Sequence, residues 1–173
     1  MNFKDLRKPL PAKDIDWRIG RSGVSDGRVW ATVLAYLNAR SVMDLLDEVC
    51  GPGNWKDRYW REGNAVMCGL SIKVGDEWVE KVDAAEETDI EAVKGGVSGA
   101  FKRAAVKWGI GRYLYDLTEG RPRIVDKGTD GAKYAKTKEG QIFYWLPPQL
   151  PDWALPEKPK NVTPIGNKPP QKF

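Results

Sequence analysis

The chain has 173 residues, about one domain, and 41% of them are hydrophobic, which is enough to form a core. Lysine and arginine number 28 against 24 acidic residues, so the net charge of +4 indicates a polyanionic partner only if the cations cluster. The absence of histidine excludes Ser-His-Asp and Cys-His catalysis, histidine-ligated zinc and a histidine pH switch.

Polar segments that contain proline flank the predicted domain on both sides. Residues 1–16 carry two prolines and are predicted to form an N-terminal arm. Residues 147–173 hold eight prolines and four lysines, which predicts an extended, flexible tail, because such a composition supports neither a ladder nor a helix and has little to bury. The folded domain is therefore expected over residues 17–146.

Residues 17–28 combine cations and an aromatic ring with three glycines, which predicts a flexible basic loop. Cations can hold phosphates while flat rings stack on bases, a combination that suits single-stranded nucleic acid. The members of this group are Trp17, Arg18, Arg21 and Arg28.

An apolar run over residues 29–37 (VWATVLAYL) follows and fits either a buried strand or a helical segment. Apolar residues then recur at helical spacing from Val42 to Val49. Ser41 is the predicted N-cap of this helix, and Gly51-Pro52-Gly53 its predicted end.

Three strands are predicted next, over residues 55–60, 65–74 and 77–84, with Gly75-Asp76 as the second turn. They should form an antiparallel meander. On the first strand Lys56, Arg58 and Trp60 share a face, with Arg61 beside them. This face is either a second nucleic-acid surface or the ordinary polar side of a half-buried strand.

A long amphipathic helix is predicted to start at a capping box formed by Thr88 and Glu91 and to end before Gly109. Its apolar residues lie three or four apart, so they should form one stripe that packs on the meander. Three glycines each cost the helix on the order of 1 kcal/mol, and a close approach to another backbone would explain them. The stripe comprises Ile90, Val93, Val97, Phe101, Ala104 and Trp108, and the glycines are Gly95, Gly96 and Gly99.

The fold class is therefore α+β, with an antiparallel β-meander packed on a long amphipathic helix (β-β-β-α), and residues 141–146 add a possible late strand. On the far face of the helix, Lys102, Arg103 and Lys107 form a row of cations, and Arg112 follows just beyond it. Such a row can follow a phosphate backbone, although it is also typical of a solvated helix face.

Acidic residues cluster where the third strand meets the long helix, and paired carboxylates there could hold Mg²⁺ for phosphodiester hydrolysis. Acids in the first turn of a helix are equally expected from its dipole. No GxxxxGK[ST] loop is present, so ATP use is not expected, and Cys50 and Cys68 are predicted to be buried reduced thiols. The acidic cluster comprises Asp83, Glu86, Glu87, Asp89 and Glu91.

The segment KGGVSGAFKRAAVKWGIGRYLY, residues 94–115, resembles the central motif of the Rad52-type single-strand annealing proteins, especially bacterial and phage members. Residues 39–55 look like that family's first helix and the Gly-x-x-x-Trp turn into its meander. Residues 83–86 (DAAE) stand at its strand-to-helix junction. The resemblance covers about residues 15–117.

The resemblance implies a β-β-β-α fold that assembles into a ring, with single-stranded DNA in a basic groove, phosphates inward and bases outward. Lys102 and Arg103 match the family's basic pair. Lys107 is shifted by one place from a further family arginine, at whose position this chain has Val106. Arg21 matches a groove arginine in a loop of different length. The tail does not match the longer partner-binding region of the eukaryotic family members.

We therefore predict a non-enzymatic, cytoplasmic protein of a bacterial or phage-infected cell, with no cofactor, no metal and no membrane association. It should bind single-stranded DNA without sequence preference and anneal complementary strands without ATP, in recombination and repair. A homo-oligomeric ring is expected, and the tail is a candidate contact for a single-strand-binding or recombination partner. The alternatives are a metal-dependent nuclease and a protecting module that binds DNA without annealing it.

Overall fold

The computed structural model describes residues 2–86, 92–117 and 120–157. Over these residues the chain is α+β, with two α-helices and three antiparallel sheets. Within the same ranges, no helix has the length and apolar character needed to cross a membrane. The elements are β1 (Ile15–Ser25), β2 (Arg28–Leu37), α1 (Ala39–Cys50), β3 (Trp55–Glu62), β4 (Ala65–Val74), β5 (Glu77–Glu86), α2 (Ala92–Trp108), β6 (Arg123–Val125), β7 (Lys133–Lys136) and β8 (Ile142–Leu146).

The first sheet is a hairpin of β1 and β2, so the prediction of a flexible loop over residues 17–28 is wrong. The two strands pair from Ile15 opposite Leu37 to Ser25 opposite Arg28, with a bulge after Ile19. Asp26 and Gly27 make the turn at φ values of 51° and 72°. An Asp-Gly pair between strand-forming runs is a strong hairpin signal, because both positions of a type I′ turn need positive φ.

Helix α1 is capped by Asn38 and not, as predicted, by Ser41. The Asn38 side-chain oxygen accepts a hydrogen bond of 2.9 Å from the Ser41 backbone N–H, while the Ser41 hydroxyl lies 3.3 Å from a carboxylate oxygen of Asp14. Asn serves this role as well as Ser does. The predicted end is confirmed, since Gly51 follows the last turn with φ of 85°.

The meander of β3, β4 and β5 is confirmed, and the central strand β4 spans the residues predicted for it. Trp55 pairs with Ile72, and Val66 with Ala85. Alternate residues of β4 point toward the helices and are buried there; they are Val66, Cys68, Leu70 and Ile72. Cys50 and Cys68 are buried free thiols, as predicted.

Helix α2 packs on β4 and β5 through one face, which confirms the predicted packing of a helix on the meander. The predicted length of that helix is not confirmed. Only Ala92–Trp108, 17 residues, is described as helical, and the predicted capping box of Thr88 and Glu91 lies outside the described residues. The buried face comprises Ala100, Phe101, Ala104, Ala105 and Trp108. Gly99 meets the meander closely, because a Cβ there would lie 3.0 Å from the Ala85 Cβ.

Both flanking segments contribute to the main core, which differs from the predicted arm and tail. Leu6 is fully buried, and the Phe3 ring stacks on Trp108 at 6.1 Å between centroids. Beyond β8, Leu150 packs against the same core and Ala154 is buried within a short 3-10 helix. Residues 158–173, the rest of the predicted tail, lie outside the described residues.

The third sheet has the order β6-β8-β7 and includes the predicted late strand as its centre. It packs on the hairpin through a second small core of Ala31, Val33, Phe143 and Trp145. The Val33 backbone N–H also donates to the Gly120 carbonyl at 2.9 Å, just ahead of β6. The hairpin is thus held between the main core on one side and the small sheet on the other.

Gly111, just beyond α2, is predicted to tolerate alanine poorly. Its φ is 67°, and an added Cβ would lie 2.6 Å from a methyl carbon of Leu37. We expect Gly111→Ala to lower the free energy of unfolding by about 1–3 kcal/mol. Gly95→Ala is the matched control, because nothing lies within 4 Å of its added Cβ and alanine favours a helix. Urea titration should show opposite signs, and equal shifts would contradict the prediction.

Candidate nucleic-acid interface

A groove of about 720 Å³ lies between the hairpin and α2. The hairpin contributes Trp17, Arg18 and Tyr36, and the helix contributes Lys102 and Arg103. Small residues keep the helix wall low, since Gly95, Ser98 and Gly99 also line the groove. Tyr115 also lines the groove, so three cations and three aromatic rings converge on one concave surface, a combination suited to a phosphodiester chain.

Lys102 is half-buried in this groove and faces the hairpin. Its ammonium nitrogen lies 4.9 Å from the centroid of the Tyr36 ring, which indicates a cation–π contact. Burial, together with the nearby positive charge of Arg18, holds the pKa of Lys102 below its usual value, although Asp16 opposes this. A partly desolvated cation near a second cation gains from an anionic partner, so this position favours a phosphate group.

Arg103 and Lys107 point instead toward β5, so the predicted row divides at the helix. The Arg103 Nε lies 3.1 Å from Asp83 Oδ1, and the Lys107 Nζ lies 3.8 Å from Asp83 Oδ2. Lys107 also donates to the Val82 carbonyl. Only Arg103 of this pair lines the groove as well. The split follows from the helix repeat, since Lys102 lies about 100° away from Arg103 around the axis.

Asp83 is therefore engaged by two cations. Burial raises its pKa, but the Ala84 N–H and the Arg103 guanidinium outweigh burial, and the pKa lies below the usual 3.8. A lowered folded-state pKa stabilises the fold above pH 3.8, and this contribution is lost as the pH falls through the folded-state value. In the described ranges, no group of three or more acidic or cysteine residues is placed to hold a metal. Glu87, Asp89 and Glu91 of the predicted acidic cluster lie outside those ranges.

Arg112, the fourth predicted cation of this region, binds the carboxyl end of α2. Its guanidinium donates to the Val106 carbonyl at 2.8 and 3.0 Å and to the Lys107 carbonyl at 2.9 Å. Lys81 of β5 donates to the Lys107 carbonyl as well, at 2.9 Å. Cations at this end of a helix satisfy carbonyls that have no partner within the helix and offset its dipole.

The hairpin cations occupy different places: Arg18 and Arg21 lie on β1, and Arg28 begins β2. Arg18 lies in the groove opposite Leu34, whereas Arg21 follows the bulge and its backbone N–H donates to the Thr32 hydroxyl at 3.1 Å. Arg28 pairs with Ser25, in the residue pair nearest the turn of the hairpin. Sequence reasoning missed two tyrosines of the groove: Tyr36 is hidden in an apolar run whose strand alternation only the hairpin reveals, and Tyr115 lies beyond α2.

Lys56 and Arg58 of the meander form a separate surface on the sheet face turned away from the helices. Lys56 lies 4.4 Å from the Trp78 ring, and Arg58 lies 4.3 Å from the Trp60 ring. Arg58 also forms a two-bond ion pair with Glu80, at 2.6 and 2.7 Å. Its charge is thus already compensated. Arg61 pairs with Val66 in the register and belongs to the opposite face.

Comparison with known proteins places these features in context. The sequence profile described as Rad52/22 family double-strand break repair protein matches residues 3–62 and 57–132. The chain is 32% identical over 163 residues to the single-stranded DNA-binding protein DdrA of Deinococcus deserti, covering 89% of this chain and 70% of the relative. It is 33% identical over 156 residues to DdrA of Deinococcus radiodurans, covering 89% and 67%. Hairpin, meander and α2 all lie within the matched residues.

Proposed function

Because the chain belongs to the Rad52/22 family of double-strand break repair proteins, we propose that it binds single-stranded DNA without sequence preference and anneals complementary strands during recombination and repair. The observation that carries this proposal is the groove in which Lys102 lies beside Arg18 and Tyr36. The single-stranded DNA-binding relatives support it, since they match most of the chain.

Annealing in such a groove needs positioning and no covalent chemistry. Arg18, Lys102 and Arg103 hold phosphates and reduce the self-repulsion of the strand, and the bases face outward where a second strand can sample them. Base pairing and stacking then drive the reaction, at about 1.4 kcal/mol per step. The proposed activity therefore uses neither a nucleotide nor a metal, and the protein acts as a binding protein and not as an enzyme.

The other candidate cations are proposed as weaker contacts. Lys107, Arg112 and Arg58 already bind carbonyl or carboxylate oxygens within the chain, so a phosphate would have to compete for them. Arg21 extends the basic surface along the hairpin beyond the groove, and Lys56 and Arg61 remain candidates on the meander.

We further propose that the functional form is a ring-shaped homo-oligomer. The meander has the order β3-β4-β5, so β3 and β5 are its edges, and edge strands commonly pair with or are covered by another chain. Multi-angle light scattering should report an assembly several times the chain mass of 19.4 kDa. A monomer at the concentration used for DNA binding would contradict this.

The function is tested with two complementary oligonucleotides carrying a fluorophore and a quencher. Pairing accelerated by the protein in EDTA and without ATP supports annealing. Strand cleavage that requires Mg²⁺ would favour the nuclease, and pairing slower than in free solution would favour a protecting module.

Asp83→Asn is predicted to tighten DNA binding, because it frees Arg103 and Lys107 from their shared carboxylate. One additional effective phosphate contact steepens the salt dependence by about 0.7 and increases affinity near 0.1 M salt about fivefold. Fluorescence anisotropy across a salt series measures both quantities. Asp57→Asn, on β3 at the opposite edge of the meander, is the matched control. A weaker affinity for Asp83→Asn would show that the carboxylate serves chiefly to position the two cations.

A further inference from the structure

The small sheet of β6, β8 and β7 has two unlike faces. Phe143 and Trp145 of β8 point toward the hairpin and are buried. The alternate residues of the sheet point outward, because successive side chains of a strand leave opposite faces. Tyr134 of β7 pairs with Tyr144 of β8, and their rings meet edge to face at 6.0 Å between centroids. The outward face is thus built around two tyrosines.

This outward face is exposed and also carries cations. Tyr134 is 60% exposed and Ile142 is 55% exposed. Lys136 pairs with Ile142 across the sheet, and Arg123 pairs with Leu146, so both cations stand on the tyrosine side. In the described part of the chain neither Arg123 nor Lys136 forms an ion pair, unlike Arg58 on the meander.

The segment that forms the sheet is positively charged as a whole. Residues 121–139 contain six cations and three acids, a local excess of three positive charges, in a chain whose total net charge is +4. This positive excess favours a polyanionic partner over an apolar one. The cations are Arg121, Arg123, Lys127, Lys133, Lys136 and Lys138, and the acids are Asp126, Asp130 and Glu139.

The sheet is also fixed next to the groove. Its buried face packs on the hairpin whose other residues form the groove wall, and Trp17 belongs to both the groove lining and this small core. Lys133 of β7 lies with its ammonium nitrogen 3.5 Å from the Trp17 carbonyl oxygen. The small sheet and the groove therefore share the hairpin and belong to the same subunit.

We propose that the outward face of the small sheet is a second contact for single-stranded DNA, where bases stack on Tyr134 and Tyr144 while Arg123 and Lys136 hold phosphates. Aromatic rings on a sheet accept any base, and neighbouring cations follow the backbone. The inference rests on the proposed function and deepens it. The groove contacts mainly phosphates, whereas this face contacts bases as well as phosphates.

The test compares oligothymidylate with a strand of equal length that carries abasic sites, using fluorescence anisotropy. Tyr134→Ala should weaken binding of oligothymidylate about tenfold and leave binding of the abasic strand nearly unchanged, because only a base can stack. Tyr134→Phe should keep the wild-type affinity. Trp153→Ala is the matched control, since this side chain is 53% exposed and lies beyond Leu150, where the chain has returned to the main core.

The outcomes separate this inference from the proposed function. Unchanged binding by Tyr134→Ala, together with weakened binding by a Lys102→Ala, Arg103→Ala double variant, overturns the stacking face and leaves the groove intact. A smaller assembly by light scattering with unchanged base dependence overturns it in favour of a contact between subunits. Absence of binding by the wild-type protein overturns both proposals.

Discussion

Replacing Lys102 and Arg103 together by alanine is expected to weaken single-stranded DNA binding about 25-fold near 0.1 M salt, equally for all sequences. Each lost phosphate contact removes about 0.7 from the slope of log affinity against log salt for single strands, so two contacts remove about 1.4. Over the tenfold range from about 1 M to about 0.1 M salt, a slope change of about 1.4 corresponds to the expected loss of affinity of about 25-fold. Anisotropy titrations across a salt series measure it.

The matched control is Lys4→Ala with Lys13→Ala, which removes the same charge from exposed positions in the N-terminal segment, away from the groove. This control should change the slope by much less than the groove variant does. An equal effect of the two double variants would mean that net charge alone attracts DNA. An unchanged slope for the groove variant would remove Lys102 and Arg103 from the site.

Phe101→Ala is expected to lower the free energy of unfolding by about 3–5 kcal/mol, the largest stability effect of the variants considered. Phe101 is 1% exposed, and its ring lies 6.2 Å from that of Trp55, where α2 meets the meander. Truncation removes buried apolar surface and leaves a cavity that rigid neighbours cannot fill. Since many domains are stable by only about 5–15 kcal/mol, a loss of this size removes a large share of the total stability.

Chemical denaturation at fixed protein concentration measures this change, and Val79→Ala is the control. Val79 is 37% exposed on an edge strand, so its truncation should shift the free energy of unfolding by less than about 1 kcal/mol. A loss below about 1 kcal/mol for Phe101→Ala would contradict the packing of α2 on the sheet.

The parts of the fold that the sequence predicts are those with a strong local signal. Strand alternation and a glycine turn predict the meander. Helical spacing followed by a glycine predicts the carboxyl-terminal ends of α1 and α2. The hairpin is missed because its glycines suggest a loop, although Asp26-Gly27 marks its turn. Burial of Leu6 and Ala154 depends on which residues the fold brings near the chain ends, and local composition does not reveal this.

The site is predictable in its residues and not in their arrangement. The sequence predicts Lys102, Arg103 and Lys107 as one row on the far face of the helix, yet it does not show that Asp83 draws two of them toward β5. Nor does it show that Glu80 compensates Arg58, since the two residues lie 22 positions apart and meet only across the sheet. Tertiary pairing decides which cations remain available for phosphate.

The central claim, that the groove between the hairpin and α2 holds the sugar-phosphate chain, is tested most directly by a structure of the assembly with an oligonucleotide bound. The account predicts phosphates within hydrogen-bonding distance of Lys102 and Arg18 and bases turned outward to solvent. A groove filled by a neighbouring subunit, with DNA elsewhere on the assembly, would contradict it.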